Sequence, residues 1–188
     1  PPRVLDLQVT PSSLLRLDSG SISLNVTDEF DPAKELTVTM DHRLNGTTGA
    51  WTISMLGLPS FTNGAWRATV FPKADATVGS YDVRVTVRDS DYLTTVIIFP
   101  NAFEVRNNIP TAPEVRIDPA RPVTTSTLQA VTVRPASDRE TSALTIRYRW
   151  YKDGELQAAL TTDTVLSVLT SRGQNWSVEV RAFDGQDE

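Results

Sequence analysis

Apolar and polar residues alternate with a period of two through most of the chain, and no stretch carries the three-to-four spacing of an amphipathic helix. In Leu36-Thr37-Val38-Thr39-Met40 the three apolar side chains fall on one face and the threonines on the other, as a half-buried strand requires. The pattern predicts strands at 4–9, 22–26, 36–40, 51–55, 66–70, 81–87 and 94–105. Turn signals separate them at Asp31-Pro32, Asn45-Gly46, Asn63-Gly64 and Val78-Gly79. The apolar run Val96-Ile97-Ile98-Phe99 fits a buried strand. Pro100 lies just beyond it and has no N–H for a ladder, which predicts an edge position or a bulge.

Asn107-Asn108-Ile109-Pro110-Thr111-Ala112-Pro113 then reads as a short, stiff connection, because proline restricts φ and breaks continuous pairing. Further strands are expected at 114–117, 128–133, 144–151, 155–157, 164–169 and 176–182. Two sets of short strands split by a proline-containing hinge predict an all-β chain of two tandem β-sandwiches, immunoglobulin-like or fibronectin-III-like. The first spans residues 1–107, the linker 108–113 and the second 114–188. An internal repeat supports the division. SYDVRVTVRD (80–89) and NWSVEVRAFD (175–184) align Tyr81 with Trp176, Val83 with Val178, Val85 with Val180, Val87 with Ala182 and Asp89 with Asp184. This marks a repeated strand F. Nothing after Asp184 supplies a further strand, so the second sandwich is expected to lack strand G and to leave F with an open edge. The abrupt start at Pro1-Pro2 and end at Asp187-Glu188 suggest a piece of something longer.

Residues 111–188 resemble the immunoglobulin-like repeats, related to polycystic-kidney-disease-type domains, of bacterial and archaeal surface proteins. The resemblance is carried by PTAPEVRIDPARPVTTSTL, YRWYKDGELQ, LTSRGQNWSVEV and the closing DGQDE. Residues 1–107 are more loosely similar to prokaryotic immunoglobulin- or fibronectin-III-like modules, through GAWRATVFP and ATVGSYDVRVTVRDSD. The resemblance implies a fold and an extracellular or cell-surface setting, but no ligand. It also makes Trp150 the strand-C tryptophan that packs on a disulfide in antibody domains, although the chain has no cysteine. Aliphatic side chains are expected in place of the disulfide: Ala130 or Val131 on strand B, and Val178 or Val180 on strand F. A disulfide contributes about 2–4 kcal/mol, which a buried aromatic cluster can match.

Composition narrows the function. A net charge of −5 and a pI near 4.9 disfavour nucleic acid or an anionic membrane surface as partner, and no apolar run is long enough to span a bilayer. Without cysteine there is no thiol catalysis and no Cys-ligated zinc. His42 is the only histidine, and no nucleophile motif accompanies it, so a catalytic triad has little to build on. It is expected exposed, just beyond strand C. Trp51, Trp66 and Tyr92 are candidates for a sugar-stacking platform. Alternation with Ile53 and Met55, and with Ala68 and Val70, instead points both tryptophans inward, while Tyr92 sits in a turn. The sequons at Asn25, Asn45 and Asn175 are what a Thr/Ser-rich chain produces by chance.

The acidic loops carry the one sharper expectation. In an immunoglobulin-type sandwich the B–C and F–G loops meet at one end. That gathers Asp28, Glu29 and Asp31 with Asp89 and Asp91 in the first half. In the second it gathers Asp138 and Glu140 with Asp184, Asp187 and Glu188, and Asn107 and Asn108 are positioned to add ligands at the hinge. Clustered carboxylates repel unless a cation compensates, and calcium accepts mixed carboxylate, carbonyl and water ligands. Calcium is therefore the candidate cofactor at both places, against the alternative of solvated turns. The expected function is that of a non-catalytic spacer or adhesion module, whose partners are neighbouring domains of the same polypeptide and a protein or polysaccharide ligand. The alternative is an accessory carbohydrate-binding module of an extracellular hydrolase.

Overall fold

Strand pairing turns the alternation into four sheets. The computed structural model describes residues 1–188, which divide into two units, Pro1–Asn107 and Asn108–Glu188. Single turns of 3-10 helix at Ala33–Glu35 and Ser167–Leu169 are the only helical elements.

The first unit contains β1 (Arg3–Thr10), β2 (Ser13–Leu15), β3 (Gly20–Thr27), β4 (Thr37–Leu44), β5 (Ser60–Thr62), β6 (Ala65–Val70), β7 (Gly79–Arg88) and β8 (Thr94–Arg106). One sheet has the order β1-β3-β6-β5 and the other β2-β8-β7-β4. These orders are strands A-B-E-D and G-F-C of an immunoglobulin-type sandwich, with β2 added parallel to β8. The second unit contains β9 (Glu114–Asp118), β10 (Leu128–Arg134), β11 (Thr145–Lys152), β12 (Glu155–Leu156), β13 (Thr164–Val165) and β14 (Trp176–Phe183). Its sheets, β13-β10-β9 and β12-β11-β14, follow the same plan. In the first unit β8 covers the outer edge of β7, whereas no strand pairs with the outer edge of β14.

Local chemistry sets the corners. Asn63-Gly64 and Asp153-Gly154 take positive φ at both residues (52° and 79°; 52° and 86°), the two-residue turn that matches the twist of a hairpin. They close β5 onto β6 and β11 onto β12. Pro100 sits in a bulge, as expected: Tyr81 pairs with Phe103 but Val83 with Phe99, so Pro100, Asn101 and Ala102 of β8 stand opposite the single residue Asp82 of β7. Asn101 turns to a φ of 51°, and its amide donates to the buried carboxylate of Asp82 at 3.0 Å.

Other expectations fail for physical reasons. Residues 51–55 form no strand and pair with the backbone of β4 only at the Thr52–His42 bridge. The three-residue strands β2 and β5 were too short to show a period. Val96 and Ile98 are about half exposed rather than buried, because they pair with Thr86 and Arg84 on the outer face of the sheet while Ile97 and Phe99 take the inner one. The expected linker 108–113 belongs to the second unit: Asn108 donates to Glu140, and Thr111 bridges to Ser137.

The first core is filled by Ile22, Leu24 and Val70 from one sheet and by Val83, Val85, Val87, Phe103 and Val105 from the other. The second is smaller. Leu128, Ala130, Trp150 and Val165 are its buried members, with Ile117, Tyr148, Leu160, Trp176 and Val178 partly buried around them. Trp150 is completely buried, meets the Trp176 ring edge-on at 6.5 Å, and donates its indole N–H to the Thr162 carbonyl at 2.8 Å. Ala130 and Val178 therefore take the place of the missing sulfur.

Strand register identifies the counterpart of Trp150 in the first unit. Trp150 pairs with Val178 and His42 with Val83, and the repeat aligns Val178 with Val83. His42 thus fills the strand-C slot. It is 2% exposed, not exposed as the sequence suggested. β4 continues past residue 40, so His42 extends the inward series Val38, Met40.

Truncating Trp150 to alanine is expected to cost about 3–5 kcal/mol, most of the stability of so small a core. In scanning calorimetry Trp150→Ala should abolish the transition of the second unit and spare that of the first; a wild-type profile would contradict this packing.

Candidate functional site

Two loop clusters bring together residues singled out from the sequence. In the first unit one carboxylate oxygen each from Asp28, Asp31 and Asp89 lies within 4.8 Å of the other two. Asp28 follows β3. Its Oδ1 accepts the amides of Phe30 and Asp31 at 3.0 and 3.1 Å, and these bonds, Phe30's first, hold its carboxyl below the ordinary aspartate value. Asp31 reaches across to the β7–β8 turn, where Ser90 donates its amide and hydroxyl, each at 3.0 Å. Asp89 is buried and its Oδ1 accepts the Leu93 amide at 2.8 Å. Asp91 and Glu29 are exposed and stand outside the group.

The second unit repeats the arrangement with Asp138, Glu140 and Asp184. Asp138 Oδ1 accepts the amides of Glu140 and Thr141 at 2.7 and 2.9 Å. Glu140 Oε1 accepts the backbone and side-chain N–H of Asn108 at 3.0 and 2.5 Å. Asp184 Oδ1 accepts the amides of Gln186 and Asp187 at 2.6 and 2.7 Å, so Asp187 contributes its backbone and its carboxylate stays outside the cluster. Glu188 pairs with Arg147 at 2.6 Å instead. The side-chain oxygen of Asn107 accepts Arg16 Nη1 at 2.9 Å within the first unit.

His42 is held by packing and by one hydrogen bond. Its Nε2 accepts the Met55 amide at 3.2 Å, which places the proton on Nδ1, and buried Nδ1 has no partner. The rings of Tyr81 and Phe103 meet it edge-on, 5.6 and 6.4 Å away, and stack on each other at 5.2 Å. Ser54 Oγ is 3.4 Å from Nε2, but the Met55 amide already occupies that lone pair and no carboxylate orients Nδ1. Asp41, the neighbouring acid, bonds Arg84. Burial pushes the imidazole down to about 4, opposed by Asp41, so it is a weak base. The geometry gives His42 a packing role.

The aromatic candidates do not form a platform. Trp51 is half-buried outside any strand, not inward-facing, because the segment 51–55 leaves the sheet. The guanidinium carbons of Arg43 and Arg84 lie 4.5 and 4.7 Å from its ring. Trp66 is partly buried against the core of the first unit, and its indole N–H donates to the Ala33 carbonyl at 2.9 Å. Tyr92 is 75% exposed in the β7–β8 turn, beneath Arg88.

One feature of the fold escaped the sequence reading. The Tyr81 hydroxyl donates to the Thr77 carbonyl at 2.7 Å, and Tyr81 stands two residues before Val83. This is the tyrosine corner of immunoglobulin-type sandwiches. An aromatic two residues ahead of the strand-F slot was the signal for it.

No protein-family model matches the chain, and no curated protein matches it. Among solved structures it is similar to the titin domains Z1Z2 in complex with telethonin, at 11% identity over 94% of this chain and 93% of that one, with a TM-score of 0.36. It is also similar to the tandem Ig repeats of Dlar, at 10% identity over 100% and 92% of the two chains, with a TM-score of 0.34. Values this low leave strand order, register and the tyrosine corner to make the units immunoglobulin-like.

The depressed His42 value has a defined consequence. The folded chain binds fewer protons there than the unfolded chain, whose imidazole titrates near 6.5, so stability falls as pH drops from 6.5 towards 4. Between about pH 7 and pH 5 the loss is about 2 kcal/mol. Urea unfolding of the first unit should show it, and His42→Gln should flatten the profile; equal slopes in both proteins would contradict the buried neutral imidazole.

Proposed function

We propose that the chain is a pair of non-catalytic immunoglobulin-like modules that serve as spacer or protein-interaction units of a larger extracellular or cell-surface protein. The observation that carries this reading is the use made of the reactive and aromatic side chains. The one histidine fills the strand-C slot with its Nε2 engaged, Trp150 is entirely interior, and two arginines cover Trp51. Both units spend on packing the groups that a catalytic or sugar-binding site would have to present. The similarity of residues 111–188 to prokaryotic surface repeats supports the setting, and neighbouring domains of the same polypeptide are the first partners to expect.

The accessory carbohydrate-binding alternative needs a row of free aromatic faces. Trp66 and Trp51 belong to different parts of the sandwich, one partly buried and the other stacked under guanidinium groups. Affinity electrophoresis through gels containing soluble polysaccharides separates the readings. The spacer reading predicts the same mobility with and without each polysaccharide; retardation that Trp51→Ala or Tyr92→Ala removes would establish the alternative.

A further inference from the structure

The carboxylate cluster of the first unit contains an oxygen that the protein does not satisfy. The Asp28 side chain is 3% exposed, and while Oδ1 takes two turn amides, Oδ2 is buried without a hydrogen-bond donor. The nearest cation is the amine of Pro1, 77% exposed and 4.0 Å away, beyond hydrogen-bond reach. A buried carboxylate oxygen left bare is costly, and here two further carboxylates face it. The second unit repeats the feature: Asp138 Oδ1 takes two turn amides and its buried Oδ2 has no partner, beside Glu140 and Asp184. Two loops of different sequence, Asp28-Glu29-Phe30-Asp31 and Asp138-Arg139-Glu140-Thr141, each place one aspartate with an orphan oxygen in this position.

We infer that Asp28, Asp31 and Asp89 bind a divalent cation of the calcium class, with Asp28 Oδ2 as the buried anchoring ligand. The three carboxylates each bring one oxygen within 4.8 Å of the other two, close enough for one calcium ion about 2.4 Å from each to reach them together. Magnesium demands near-octahedral order and gives up its waters reluctantly, whereas calcium accepts irregular sets of carboxylates, carbonyls and waters. The cation links the end of β3 to the β7–β8 turn, joining the two sheets at one end of the sandwich. This inference stands whether or not the modules act as spacers.

Equilibrium dialysis of the whole chain against calcium chloride, after stripping with EDTA, tests it. Asp28→Asn keeps the Oδ1 acceptor for the Phe30 and Asp31 amides and replaces only the orphan oxygen, so the turn is retained. Wild type is expected to bind calcium in preference to magnesium, and Asp28→Asn to bind one equivalent less. Asp89→Asn provides a second variant should the first fail to fold, as judged by far-ultraviolet circular dichroism. Wild type without bound calcium, folded variants with undiminished calcium, or complete competition by equimolar magnesium would each overturn the assignment.

Discussion

Two sheets without a sulfur bridge must be held together by side-chain volume at the point where strands C and F face strand B. Both units place a ring there, His42 opposite Val83 and Trp150 opposite Val178. An interior tryptophan removes about 150–250 Å² from water, on the order of 4–6 kcal/mol at the usual coefficient. That equals or exceeds a typical disulfide. Histidine is smaller and leaves Nδ1 without a partner, so the first unit depends on more neighbours. Tyr81 and Phe103 flank the imidazole, and the long strand β8 covers the edge of β7. The second unit has the larger ring, the smaller core and the open edge at β14.

The same constraint leaves chemistry to the loops. Once the alternating faces are committed to packing, polar groups collect at the ends of strands B and F, where the turn amides are free. Asp28 and Asp138 each cap their turn with one oxygen and bury the other beside two more carboxylates. The flat faces carry arginine–carboxylate pairs instead, such as Arg149 and Arg181 around Glu179. Exposed pairs of this kind contribute little to stability. They keep the sheet surfaces polar while the loop ends concentrate negative charge.

Period-two alternation was enough to place most long strands, because one face of each is buried and the other wet. It failed where that condition failed. Residues 51–55 alternate in sequence, yet of Trp51, Ile53 and Met55 only Met55 reaches the core, since the segment makes a single bridge to β4, at Thr52, and forms no strand. Val96 and Ile98 look like a buried run, but their side of β8 faces solvent. His42 was misjudged because a polar residue at the end of an apolar series reads as the strand's end, when register with Val83 carries it inward. Loop proximity was legible for Asp28, Asp31, Asp89, Asp138, Glu140 and Asp184 from topology alone. The direction of Asn107 towards Arg16 was not, as it depends on a contact 91 residues away in sequence.

Native-state hydrogen exchange reads the strand-C slot most directly. If rings at this slot hold the layers together, the amides hydrogen-bonded between β4 and β7, and between β11 and β14, should exchange only through complete unfolding of their own unit. Exchange of those amides as fast as in the turns at Asn63-Gly64 and Asp153-Gly154 would contradict the account.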